Sequence, residues 1–263
     1  MVIIKNKIFL FFLIIILCFS TKTFASKDNY PKNPKIDAIN YAFNIELSDK
    51  SDQIICEVII DIRFLGSGVN PGFLMDYLPS VLSTVCNKIN KIKICRVQDA
   101  SSRRISFQKK IGAGLSLNEF KNKQNEGTLR HVGLTESLHL LANSVNFTLD
   151  KVTETLNPVI CESDLNGSIN IKKGEARGVE QVACGYLNNE VVIEMQFKAA
   201  IGEARSFDKI EVDGIPSFVS EIEGGINGDI ATCSIAINSV KSILKANPGF
   251  HTMSDIVVPG YIN

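Results

Sequence analysis

Residues 178–201 read GVEQVACGYLNNEVVIEMQFKAAI, and this stretch decides the fold class. Apolar and polar side chains alternate on both sides of the pair Asn188 and Asn189, as in two strands that each bury one face. Asparagine tolerates the left-handed backbone conformation that a tight hairpin turn requires. The stretch therefore predicts an antiparallel β-hairpin, and further strands are predicted over 147–162 and 208–212.

Helical patterns surround these strands. The first helix has a broad apolar face, with Asn70 as its expected N-cap and Pro71 at its first position. Ser116 and Glu119 have the spacing of a capping box at the start of a second helix. The order of elements predicts an α+β domain with one open, mixed or antiparallel sheet and helices on one face. The expected helices cover about 71–85, 116–127, 134–146 and 228–245, with a strand over 91–97.

The segment before this domain also alternates. Two strands of period 2, over 39–47 and 54–64, flank a polar turn and predict an N-terminal β-hairpin. The pattern changes at Leu65 and Gly66, where a glycine-rich loop begins. We therefore expect three parts: a signal peptide over 1–25, a linker and hairpin over 26–65, and the α+β domain over 66–263.

The first 25 residues have the three regions of a secretory signal peptide. Lys5 and Lys7 precede the apolar run 8–19, and Thr23-Phe24-Ala25 offers a cleavage site with small residues at the required spacing. The run is shorter than the ~17–25 residues that a membrane-spanning helix needs. The pattern predicts export to the periplasm or the exterior, with no membrane anchor after cleavage.

Composition narrows the class of protein. The chain of 263 residues has 28 Lys and Arg against 28 Asp and Glu. This balance removes the electrostatic basis for binding nucleic acid, and a hydrophobic content of 45% excludes a disordered chain. Seven Cys at irregular spacing favour free thiols, which are usual in the cytosol and disagree with export.

The charged segment 96–110 is the most site-like part of the chain. Arginine binds carboxylates through two parallel hydrogen bonds, and glycine lets backbone N–H groups approach an anion. The segment predicts a site for a small acidic or amino-acid-like substrate, although a solvated loop with its own ion pairs has the same composition. The candidate residues are Arg96, Asp99, Arg103, Arg104, Lys109 and Lys110, with Gly112 and Gly114 in the turn that follows.

A second candidate lies at the start of the helix over 134–146. His131 and Glu136 have the chemistry of an acid–base pair at a substrate. The alternative is that Glu136 stabilises the helix N-terminus and His131 lies on a surface loop. No metal-ligand spacing of His, Cys, Asp or Glu occurs in the sequence, so we expect no metal site.

Two glycine stretches approach the dinucleotide-binding pattern G-x-G-x-x-G without completing it. The stretch from Gly66 has Pro71 in place of the third glycine, and the stretch from Gly112 has Leu117 there. The second stretch also lacks the preceding strand of a βαβ unit. The sequence therefore predicts no complete Rossmann domain.

A family resemblance begins at about residue 66 and continues to the C-terminus. It is carried by GSGVNPGFLMD (66–76), RVQDASSRR (96–104), FQKKIGAGL (107–115), GTLRHVGLTES (127–137), GGINGDIATCSIAINSV (224–240) and PGFHTMSD (248–255). These stretches resemble the dihydrodipicolinate reductase-like amino-acid dehydrogenases, in particular the 2,4-diaminopentanoate dehydrogenase group. The resemblance implies an NAD- or NADP-dependent oxidoreductase that acts at an amine- or imine-bearing carbon. It also implies that this α+β domain closes over the substrate and builds a homo-oligomer.

The resemblance implies roles for particular residues. Gly68, Val69 and Asn70 match the last loop of the family's nucleotide domain, which lies near the nicotinamide. Residues 96–114 occupy the place of a substrate motif whose histidine pair is missing here. Lys110 is then the nearest catalytic candidate, with Arg103 and Arg104 as carboxylate binders.

The hairpin segment resembles a different family. YPKNPKIDAINYAFNIELSDKSDQIICEVIIDIRFL (30–65) is similar to the first strands of the N-terminal β-domain of aminopeptidase N-type zinc peptidases. The zinc motif of those enzymes is absent, so no peptidase activity is implied. The two resemblances together predict a gene fusion or an assembly artefact near residues 65–66, and a truncated dehydrogenase that retains its substrate domain. The alternative is a non-catalytic exported binding or oligomerisation domain.

Overall fold

The computed structural model describes residues 40–46, 55–129 and 133–262. The predicted signal peptide over 1–25 lies outside the described residues. The chain divides into two compact units, Met1–Ile62 and Arg63–Asn263. In the first unit, strands β1 (Asn40–Glu46) and β2 (Ile55–Asp61) pair antiparallel, with Phe43 opposite Val58. This confirms the predicted N-terminal hairpin.

The second unit begins with strand β3 and contains the predicted α+β domain. Two 3₁₀ turns, Ser83–Val85 and Met253–Asp255, accompany its longer elements. Those elements are β3 (Arg63–Gly66), α1 (Tyr77–Leu82), β4 (Lys88–Asp99), α2 (Ile105–Lys110), α3 (Leu117–Asn125), α4 (Leu134–Ser144), β5 (Lys151–Ile160), β6 (Ala176–Leu187), β7 (Glu190–Ala200), β8 (Phe207–Ile215), β9 (Phe218–Glu223), α5 (Gly228–Asn238), α6 (Val240–Ile243) and β10 (Gly249–Thr252).

Six of these strands form the main sheet, in the order β5-β6-β7-β4-β8-β9. Strand β4 runs parallel to β7, and the other neighbouring strands are antiparallel. At the β6–β7 turn Asn188 and Asn189 have φ angles of 52° and 65°, so the predicted hairpin and its left-handed turn are confirmed. The open mixed sheet agrees with the predicted fold class.

One face of the sheet packs against the helices. Leu134, Leu138 and Leu141 of α4 are fully buried against this face, and the alternation of β4 directs Ile92 and Ile94 to the same core. Burial of such side chains removes apolar area from water and stabilises the fold. A smaller core around Tyr77, Met253 and Ile256 joins α1 to the parallel strand pair β3–β10.

Three local details differ from the expectations. Helix α1 begins at Tyr77 and not at Pro71, because Gly72 at φ 127° continues the loop and the Asp76 carboxylate accepts a hydrogen bond from Tyr77 N. Asp76 is therefore the N-cap in place of Asn70. The helix expected over 228–245 divides into α5 and α6, and strands β9 and β10 and helix α2 were not predicted. The capping box between Ser116 and Glu119 is confirmed.

Candidate functional site

A cavity of about 340 Å³ lies where four segments of the second unit meet. The segments are the loop after β3, the end of β4, helix α2 and the first turns of α5. Seven of the predicted site residues line it together, although they are up to 42 positions apart in the sequence. The lining residues are Ser67, Gly68, Val69, Asn70, Pro71, Arg96, Gln98, Arg103, Arg104, Phe107, Lys110, Phe197, Gly228, Asp229 and Thr232.

The floor of the cavity is formed by Arg96, which is one partner of a buried ion pair. Arg96 Nη1 lies 2.9 Å from Asp208 Oδ1, and both side chains are more than nine-tenths buried. Arg96 Nη2 also donates to the Ile226 carbonyl at 2.7 Å, and Ile226 N donates to Asp208 Oδ2 at 2.7 Å. Burial lowers the pKa of Arg96 and raises the pKa of Asp208, while their mutual attraction opposes both shifts. The pair fixes the chain just before α5.

Arg103 is held in place by three neighbours. Its Nε lies 2.9 Å from Asp229 Oδ2, and its Nη1 donates to Gln98 Oε1 at 3.3 Å. The guanidinium also lies 4.1 Å from the centre of the Phe107 ring. The guanidinium is therefore oriented before any ligand binds.

Two further cations lie at the mouth of the cavity. Arg104 is 70% exposed, and its Nε is 3.7 Å from Asp229 Oδ1. Lys110 is exposed in the last turn of α2. Neither cation is buried, so both can turn towards an anionic ligand at little desolvation cost.

The loop over 67–72 forms the opposite wall. The buried carboxylate of Asp76 accepts hydrogen bonds from Gly72 N at 2.7 Å and from Ser137 Oγ at 2.8 Å. Burial raises the pKa of Asp76, and its hydrogen bonds oppose the rise. Ser67 Oγ and Asn70 Nδ2 are buried with no hydrogen-bond partner among the described residues. Buried polar atoms of this kind usually find a partner in a ligand or a water molecule.

Several predicted site residues do not line the cavity. The carboxylate of Asp99 accepts from Ser101 Oγ at 2.6 Å and from Gly202 N at 3.0 Å, so it fixes the turn after β7. The N–H groups of Gly112 and Gly114 donate to the carbonyls of Lys109 and Ala176, which leaves neither for an anion.

Glu136, one residue of the second candidate pair, does not line the cavity either. Glu136 is exposed in the first turn of α4 and accepts from the hydroxyl of Thr135 at 3.1 Å. His131 lies outside the described residues. The helix-N-terminus interpretation of Glu136 agrees with this position.

Several residues that line the cavity or hold its side chains were not predicted from the sequence. Asp229 and Gln98 hold Arg103, and Ser67 and Thr232 complete the wall. Asp229 belongs to the stretch 224–240 that was quoted for the family resemblance, so a signal was present. Its distance of 126 positions from Arg103 hid their pairing.

The described residues give little sign of other kinds of site. Among them, no group of three His, Cys, Asp or Glu side chains lies close enough to hold a metal ion. In the same part of the chain, no helix has the length and apolar character needed to cross a bilayer. Five cysteines of this part of the chain carry free thiols, namely Cys86, Cys95, Cys161, Cys184 and Cys233, of which Cys161 is buried and Cys233 exposed.

Comparison with known proteins identifies the family. Residues 73–263 match the family model for the 2,4-diaminopentanoate dehydrogenase C-terminal domain. The chain belongs to this family. The 2,4-diaminopentanoate dehydrogenase of Acetoanaerobium sticklandii is 28% identical over 264 aligned positions, which cover 94% of this chain and 74% of the relative.

A solved structure supports the fold of this dehydrogenase-family chain. The amine dehydrogenase from Mycobacterium smegmatis superposes with a TM-score of 0.67 at 15% sequence identity. The match covers 76% of this chain and 60% of that structure, so the chain spans less than two thirds of the solved protein. At this identity the likeness concerns the fold alone.

The extent of the sequence match bears on the predicted fusion. A match to 94% of the chain leaves 6% of 263 residues, about 16, unaligned. It therefore runs through residues 30–65, the segment that resembles a peptidase. The peptidase resemblance and the fusion find no support in these comparisons and stay predictions, as does the signal peptide.

Proposed function

We propose that the chain is an NAD(P)-dependent oxidoreductase of the 2,4-diaminopentanoate dehydrogenase type, which acts at the amine-bearing carbon of a small amino-acid-like substrate. The observation that carries the proposal is the cavity itself. The loop from Gly68 to Asn70, which the resemblance assigns to the nicotinamide, lines the same cavity as Arg103, Arg104 and Lys110. The cavity thus has one wall suited to the nicotinamide of the cofactor and another suited to the carboxylate of the substrate.

The cationic wall supports recognition of the substrate carboxylate. Asp229 already orients the guanidinium of Arg103. Arg103 therefore acts as a fixed positive charge beside the cavity. Arg104 and Lys110 are exposed at the cavity and can bind the carboxylate directly, and a charged hydrogen bond of this type contributes about 1.5–3 kcal/mol. Lys110 is also the acid–base candidate, because an ammonium at the cavity can exchange a proton with the substrate nitrogen.

The described residues fit the nicotinamide end of the cofactor. Ser67 and Asn70 provide buried polar atoms that lack partners among the described residues, as a loop facing a carboxamide would require. A bound nicotinamide ring supplies the hydride chemistry that no side chain can provide. The loop between β3 and α1 has Pro71 in place of the third glycine of the pyrophosphate-binding turn, so affinity for the whole dinucleotide is the critical property to measure.

The experiment is a titration of the purified full chain with NADH and NADPH, followed by dihydronicotinamide fluorescence. We expect saturable binding of one nucleotide, and reduction of its oxidised form when 2,4-diaminopentanoate is added. Arg205→Ala removes an arginine that does not line the cavity and should change neither result. If no nucleotide binds, a self-sufficient dehydrogenase is refuted.

A second candidate is a non-catalytic oligomerisation domain. It is favoured by the apolar side chains on α5, where Ile230 and Ile237 are 69% and 60% exposed. Exposed apolar patches commonly mark protein interfaces. The nucleotide titration distinguishes the candidates, since a homo-oligomer is expected of both and only this one requires that no nucleotide binds. Sedimentation of the same sample tests the homo-oligomer itself. Export through residues 1–25 remains part of either proposal.

A further inference from the structure

The hydroxyl of Ser137 lies within hydrogen-bond distance of two side chains, Asn70 and Asp76. Ser137 Oγ lies 2.7 Å from Asn70 Oδ1 and 2.8 Å from Asp76 Oδ2, and Ser137 is fully buried. A serine hydroxyl carries one proton, so it can donate to only one of them. The other neighbour must therefore donate a proton to Ser137 Oγ.

Asp76 is the acceptor of the two. Gly72 N donates to Oδ2 at 2.7 Å and Tyr77 N donates to Oδ1 at 2.6 Å, so each carboxyl oxygen already accepts a backbone N–H. Two such donors match an ionised carboxylate, because a protonated carboxyl oxygen is a poor acceptor. The Ser137 proton consequently points to Asp76.

Asn70 must then offer its amide nitrogen to Ser137 Oγ. The oxygen and nitrogen of an amide exchange places by a half-turn of the group without changing its shape. When the amide oxygen faces Ser137, Asn70 Nδ2 is buried with no partner among the described residues. After the half-turn the amide nitrogen donates to Ser137 Oγ. The amide oxygen then occupies the position in which the nitrogen had no partner.

The loop that carries Asn70 is fixed as well as the side chain. Gly133 at φ 107° packs directly on Pro71, and a Cβ there would lie 2.4 Å from Pro71 Cδ. Helix α4 therefore contacts the loop twice, through Gly133 and through Ser137. The direction of the Asn70 amide is set by groups that do not themselves touch the cavity.

We propose that Asp76 and Ser137 are positioning residues that hold the amide nitrogen of Asn70 on Ser137, so that its amide oxygen accepts an N–H from the ligand in the cavity. The ligand half of this inference rests on the proposed function. The chemistry it names is an N–H donor, supplied by the carboxamide of the nicotinamide or by the ammonium of the substrate.

The first experiment needs no ligand. In the full chain labelled with ¹⁵N-asparagine, the side-chain NH₂ of Asn70 is assigned by its loss in Asn70→Asp. We expect it to exchange slowly with water, to show a nuclear Overhauser effect to the Ser137 Hβ protons, and to shift in Ser137→Ala. Ser144→Ala removes another hydroxyl of α4, bonded to Leu140 O, and should leave the signal unchanged. A rapidly exchanging NH₂ without that contact overturns the positioning role, and this measurement on the unmodified chain does not depend on a variant folding.

The second experiment identifies the donor by paired ligands. NADH is compared with reduced nicotinic acid adenine dinucleotide, and 2,4-diaminopentanoate with pentanoate, which has no ammonium. We expect about a tenfold preference for the N–H-bearing member of one pair, lost in Ser137→Ala. Equal binding within both pairs overturns the ligand half of the inference. If no ligand binds at all, the proposed function fails, while the first experiment still decides the orientation of Asn70.

Discussion

Removal of the Asp208 carboxylate tests the floor of the cavity. In Asp208→Ala the Arg96 guanidinium, which is 3% exposed, keeps its charge without a counter-ion. Ile226 N loses its acceptor at the same time. The perturbation therefore leaves one buried charge and one partly buried N–H group unpaired, and Asp208 itself does not line the cavity.

The expected magnitude follows from those two groups. Breaking a buried ion pair by removing one partner costs about 3–5 kcal/mol. A buried N–H without an acceptor costs about 1–3 kcal/mol. The two penalties are not additive, because one rearrangement of the loop can relieve both. We expect a loss of about 3–5 kcal/mol in the free energy of unfolding. That is a large fraction of the stability of a typical domain.

The assay is urea unfolding at pH 7 followed by far-ultraviolet circular dichroism, since the chain has no Trp. The double variant Arg96→Met with Asp208→Leu is the matched control. It removes both charges and should regain most of the loss, because apolar side chains replace a buried pair at little cost. A loss below about 1 kcal/mol in Asp208→Ala, or a double variant no more stable than the single one, would refute the reasoning.

Two further predictions concern other parts of the second unit. Arg104→Ala should raise the KM for a carboxylate substrate about tenfold or more with little change in kcat, as measured by steady-state kinetics, and an unchanged KM would remove Arg104 from the site. The Thr252 hydroxyl and backbone N–H lower the pKa of Asp255 below 3.8, so its contribution to stability is complete above pH 3.8 and is lost as the pH falls through the lowered value. Urea unfolding at several acidic pH values should show this loss in the native chain and not in Asp255→Asn.

Local chemistry made most of the fold predictable. The asparagine pair at 188–189 and the capping box at Ser116 each depend on a few neighbouring residues, and the structure confirms both. The start of α1 was wrong because a favourable N-cap and proline at 70–71 competed with Asp76, whose carboxylate also binds Ser137. That contact lies 61 positions away and leaves no trace in the local pattern.

The candidate site was also predictable only in part from local residue types. The cations of 96–110 and the glycine loop could be selected by residue type, and all of these cations except Lys109 line one cavity with that loop. Residue type could not separate Arg96, which is paired and buried, from Arg104, which is exposed. Nor could it show that the N–H groups of Gly112 and Gly114 are used by carbonyls. These distinctions depend on partners far away in the sequence.

The two walls of the cavity are held by separate sets of contacts. Asp76 and Ser137 fix the loop that carries Asn70, whereas Asp208 and Asp229 fix the arginines. The two sets share no residue, so substitutions in one should leave the other's geometry intact. If the N–H donor to Asn70 is the nicotinamide carboxamide, a variant of the first wall should therefore lose affinity for the cofactor and keep affinity for the carboxylate, and a variant of the second should do the reverse. If both affinities fall together in either variant, the walls act as one unit and the separation argued from these contacts is wrong.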